Sequence, residues 1–94
     1  DFFEDIVQSY VDDATTLMAN LQKGAADADI DLMARSAHTL KSSSANVGAN
    51  DLAALCATLE RRTRSESSIP DAPDVVREIE MALKVVLEFM ASQV

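Results

Sequence analysis

The chain has 94 residues, 48% apolar and 4% aromatic, with 16 Asp and Glu against 8 Lys and Arg and a formal net charge of −8. That length fits one domain, 1–94, and not two, and the acidity would repel nucleic acid or anionic lipid while suiting a protein partner. One cysteine, Cys56, excludes an internal disulfide, and no apolar run approaches the ~18 residues of a membrane span.

Only two Gly and two Pro interrupt the chain, which favours long helices. A first helix, about 2–23, shows apolar residues in steps of three and four: Phe3, Ile6, Val7, Tyr10, Val11, Ala14, Leu17, Met18 and Leu21. Gly24 is expected to end it as a C-cap. Asp27 or Asp29 would cap the next helix, and Asp31 suits its positive end. That helix, about 29–46, carries Ile30, Met33, Ala34, Ala37, Leu40, Ser44 and Val47 inward until Gly48 breaks it. A third, about 49–64, turns Leu52, Leu55, Cys56 and Leu59 inward, with Cys56 a buried structural thiol. Thr63 to Asp74, with Ser65, Ser67, Ser68, Pro70 and Pro73, reads as a loop that overlaps the neighbouring helix ends. The last helix, about 72–93, has Pro73 in its first turn. Its stripe is Val75, Val76, Ile79, Ala82, Leu83, Val86, Leu87, Met90 and Val94. Four amphipathic helices on short connections bury their stripes together as an all-α, antiparallel four-helix bundle, expected to be monomeric.

His38 is the only histidine. Lys41, Ser42 and Ala45 follow on its face, and Ala34 and Arg35 precede it by one turn. Solvated helix faces usually carry long side chains that would crowd an imidazole, whereas this one is a His beside a Lys among small residues. Ser42, Ser43 and Ser44 are poor helix formers, so propensity does not explain them. Neutral imidazole is nucleophilic near pH 7. A phosphoryl group on one ring nitrogen would bring roughly two negative charges, which the Lys41 ammonium could meet. Small neighbours would let a partner's active site reach the phosphorus in line.

The stretch Ala37-His38-Thr39-Leu40-Lys41-Ser42-Ser43-Ser44-Ala45-Asn46-Val47-Gly48-Ala49 resembles the signature of histidine-containing phosphotransfer (HPt) domains, as found in bacterial hybrid sensor histidine kinases. Leu52 to Cys56 and Leu59-Glu60 resemble that family's third helix. The resemblance implies that His38 is the phosphorylated residue, that Lys41 steadies the phosphoryl group, and that Gly48-Ala49 turns the chain. It implies response-regulator receiver domains as partners, docking over Ala34, Arg35, Ser42 and Ala45 with help from the first helix. His38 would take its phosphoryl group from a receiver aspartate and pass it to another receiver. No cofactor of its own is implied, Mg²⁺ being supplied by the receiver, and no ATP chemistry. Where the family usually has Gly after the Lys, this chain has Ser42, which is still small.

Glu60 lies twelve residues after Gly48 and His38 ten before it, so antiparallel pairing would set them at similar height. Glu60 would then accept a hydrogen bond from the unreacted ring nitrogen; the alternative is a solvated helix charge. One His and one Cys cannot fill a closed metal shell, so no metal site is expected. No orienting acid or oxyanion hole is marked for a Ser–His hydrolase. Two rivals stand beside the phosphorelay: a helical interaction module whose His is incidental, and the dimerising phosphoacceptor domain of a histidine kinase. The latter typically has an acidic residue after its His, where Thr39 stands here. The chain starts Asp1-Phe2-Phe3 without Met, which suggests a piece of a longer protein, and the cytoplasm is the default location.

Overall fold

The computed structural model describes residues 1–93, leaving Val94, the last residue of the predicted fourth stripe, outside. α1 (Phe2–Asp27) starts where the Asp1 carboxylate accepts the Glu4 N–H at 2.9 Å. It does not stop at Gly24. It runs one further turn and closes on Ala28, held at φ 54° and ψ 39° with its N–H on the Gly24 carbonyl. Gly24 is buried inside the helix, because a Cβ there would lie 2.7 Å from Met33 Cγ and 3.3 Å from the Asp29 carbonyl oxygen. Its role is close approach of two helices.

α2 (Ile30–Asn46) is capped by Asp29, which accepts the Leu32 N–H at 3.0 Å. Asp27 instead ends α1, paired with Lys23 at 2.8 Å. Gly48 at φ +81° reverses the chain, and the Ala49 N–H returns to the Ser44 carbonyl at 2.8 Å. α3 (Asn50–Ser65) and α4 (Ala72–Ala91) follow, with Pro73 in the first turn of α4.

The predicted loop from Thr63 is shorter than its composition suggests. Thr58 and Ser65 hydroxyls donate to carbonyls one turn back, at 3.1 and 3.3 Å, so polar residues here are compatible with helix. Arg62 then fastens the connection, donating to Glu66 at 2.8 Å and to both oxygens of Asp71 at 3.0 and 2.7 Å. Ile69, inside that connection, is buried in the core.

Each helix packs on its two neighbours, α1 on α2, α2 on α3, α3 on α4 and α4 back on α1, most closely between α2 and α3. This is an antiparallel four-helix bundle with no strand among the described residues. Leu21, Met33, Leu40, Leu52, Leu59 and Ile79 are the largest fully buried side chains. Each would contribute about 1.5–3 kcal/mol by leaving water. No described helix is long and apolar enough to cross a membrane.

Phe3 and Ile6, placed inward by periodicity, are 51% and 44% exposed. At 1.5 Å per residue α1 spans ~39 Å and α2 only ~26 Å. The Tyr10 hydroxyl meets Ser44 Oγ at 2.8 Å in the last turns of α2, so the turns before Tyr10 overrun the α2–α3 hairpin. The molecule is accordingly elongated, 44 × 19 × 17 Å.

Candidate functional site

His38 stands midway along α2 with a side chain 60% exposed to solvent. Met33, Ala37 and Leu40 hold the opposite side of the helix in the core, so the imidazole must face outward. Glu60 comes from the facing turn of α3 and is 5% exposed, the only buried charged residue of the described chain. Its Oε2 lies 2.8 Å from His38 Nδ1, and its Oε1 accepts from Lys41 Nζ at 2.6 Å. Similar distances from the Gly48 turn, ten residues for His38 and twelve for Glu60, bring these two together, with Lys41 one turn along α2.

The Lys41 hydrogen bond, first, and the His38 hydrogen bond hold the Glu60 carboxyl below its ordinary value of 4.5, against the opposing effect of burial. Glu60 is therefore a carboxylate, which can only accept. The proton between it and the ring thus belongs to Nδ1, and the free lone pair is left on Nε2. The site is an exposed imidazole anchored from behind, with an ammonium alongside.

Arg64 completes the site, and sequence reasoning missed it. Its guanidinium donates to Glu60 Oε2 at 2.6 Å, the same oxygen that faces His38. The available signal was its place four residues after Glu60, a favourable helical ion-pair spacing.

The proposed docking residues share the outward side of α2: Arg35, Ser42 and Ala45 are exposed and Ala34 half-buried. Thr39 and Ser43 border a shallow groove completed by Asp13, Thr16 and Leu17 of α1. Ser44 belongs to the core instead, fully buried with Tyr10. Cys56 is buried, and burial pushes its thiol up to about 12, so it stays protonated and unreactive. No cluster suited to a metal ion occurs among the described residues.

Glu66 and Asp71 are also held low, both first by hydrogen bonds from Arg62. A carboxylate depressed in the folded state contributes stability above its unfolded value and loses it as pH falls through the folded one. The bundle should therefore hold a plateau of stability above the ordinary values of 4.5 and 3.8 and lose it below. Thermal unfolding from about pH 5 to about pH 2 would measure this, and Glu60→Gln should remove part of the slope.

A closed four-helix bundle presenting one such imidazole is the architecture of a histidine phosphotransfer module. The sequence model of the family described as Hpt domain matches residues 5–89, and the chain belongs to that family, phosphotransfer modules of two-component signalling. Among solved structures it is similar to histidine-containing phosphotransfer protein B (HptB) from Pseudomonas aeruginosa PAO1, at 24% identity and a TM-score of 0.88. The match covers 94% of this chain and 76% of that one. No curated protein sequence matches.

Proposed function

We propose that His38 accepts a phosphoryl group from the aspartyl phosphate of a receiver domain and passes it to another receiver. The observation that carries this reading is the anchoring of Nδ1 on a buried carboxylate, which leaves Nε2 open on an exposed helix face. Nε2 attacks phosphorus in line; the N–P bond forms as the O–P bond breaks, and the receiver's carboxylate leaves. The ring keeps its Nδ1 proton and gains positive charge as the bond forms. Glu60 faces that charge and stabilises it most when it is fully developed. Lys41, one-third exposed beside the imidazole, supplies a cation for the incoming oxygens. The chain positions the nucleophile, and Mg²⁺ bound to the receiver would neutralise the transferring group. Running the same steps backwards loads the second receiver.

The test is incubation of the domain with a phosphorylated receiver and Mg²⁺, followed by assay for acid-labile, base-stable label. Label of that chemistry supports the relay. A folded, monomeric domain that stays unlabelled across a panel of receivers would instead be an interaction module with an incidental His.

Docking would cover Ala34, Arg35, Ser42 and Ala45, with the α1 groove at its edge. Ser42→Gln should then slow transfer by about tenfold or more, ~1.4 kcal/mol in the barrier. Stability should stay within about 0.5 kcal/mol, because the side chain is exposed. Transfer kinetics and thermal unfolding of the same preparation check both halves; parental rates would remove Ser42 from the docking face.

A further inference from the structure

Glu60 Oε2 serves two donors at once. His38 Nδ1 approaches it to 2.8 Å and an Arg64 guanidinium nitrogen to 2.6 Å, so the two nitrogens lie at most 5.4 Å apart. Arg64 is otherwise a surface residue, its side chain 71% exposed. An anionic oxygen divides its electron density among its donors, and each added cation reduces what it offers the others. We propose that Arg64 is a positioning residue that governs how strongly Glu60 holds the His38 ring, by sharing Oε2 with it.

This rests on the phosphorelay reading and adds a control on its nucleophile. A carboxylate bound only to His38 and Lys41 would favour the imidazolium, and a protonated ring has no lone pair to attack phosphorus. A second cation on Oε2 weakens that pull. It also fixes the carboxylate in the plane that Nδ1 requires, since Oε1 is already held by Lys41 at 2.6 Å. The charged groups around the ring are few. Beyond Glu60, Arg64 and Lys41, α2 brings Arg35 one turn earlier, and α1 brings Asp13 to the groove beside Thr39 and Ser43. α4 packs its backbone on α1 and α3 rather than on α2. Of these, Arg64 alone shares the oxygen that His38 uses.

The experiment is an NMR titration of the His38 ring signals in the parent and in Arg64→Ala, Arg64→Lys, Glu60→Gln and Glu60→Gln/Arg64→Ala. In Arg64→Ala the midpoint should move up by ~0.5 pH unit, about threefold in proton affinity. Arg64→Lys should recover most of it, and the Glu60→Gln background should remove most of the difference. The low-pH limb of the transfer rate should move with the midpoint. An unmoved or lowered midpoint in Arg64→Ala overturns the proposal. An equal shift in the Glu60→Gln background overturns it as well, because Arg64 would then act on the ring directly through space. Far-ultraviolet circular dichroism confirms that each variant is folded. The titration needs no receiver, so a chain that shows the shift yet takes no label would sink the relay and leave the Arg64 coupling standing.

Discussion

His38→Gln is expected to take up no label from any phosphorylated receiver while unfolding at the parental temperature. The amide has no nucleophilic ring nitrogen, so the N–P bond cannot form. Its N–H can still donate to Glu60 Oε2, so the buried carboxylate keeps a partner. The side chain replaced is mostly in solvent, which limits the stability change to about 0.5 kcal/mol. His38→Ala is the poorer control, because Glu60 would lose a donor. Labelling and thermal unfolding of one preparation test the claim together. Label that survived on His38→Gln would move the acceptor elsewhere, and Cys56 could not supply it, being buried and protonated.

Gly24→Leu should destabilise the bundle by about 3 kcal/mol or more, at the upper end for overpacking a filled interface. Even the first carbon added would meet Met33 Cγ at 2.7 Å and the Met33 backbone nitrogen at 3.3 Å. Met33 is 1% exposed, and its backbone nitrogen cannot yield without moving α2. Alanine separates two opposing effects at this position. In an open helix Gly→Ala gains about 1 kcal/mol, so a Gly24→Ala variant that fails to gain it reports the clash alone. For a domain whose total stability is about 5–14 kcal/mol, the leucine variant gives up a large share. Chemical denaturation of the three proteins would measure the series, and a leucine variant as stable as the parent would show that the α1–α2 seam is loose.

Gly24 also marks a limit of reading the chain by itself. A glycine after an apolar stripe is the commonest sign of a helix end, and nothing local distinguishes it from one that lets two helices touch. The distinction lies in Met33, across the seam. The stripe positions of α2, α3 and α4 were legible because burial follows period. Phe3 and Ile6 follow the same period and are exposed, since the α2–α3 hairpin ends before the turns that carry them. Over Thr63–Ser65 the loop and helix readings overlap, because hydroxyls bonded within a helix look like those of a loop, and α3 in fact runs through Ser65. At the site, His38, Lys41 and Glu60 could be placed from offsets about Gly48, which are backbone properties. Arg64 could not, because its contact depends on where a long side chain folds back.

The hydroxyl pair at Tyr10 and Ser44 has a use outside the chemistry. The chain has one Tyr and no Trp. All of its tyrosine emission and tyrosine dichroism therefore arise from a single ring wedged where α1 crosses the end of α2. Burial raises the Tyr10 phenol above its ordinary value of 10.0, so it should resist ionisation in alkali until that seam opens. The native chain thus carries its own optical gauge of the α1–α2 seam, some turns away from His38, and needs no added label to read it.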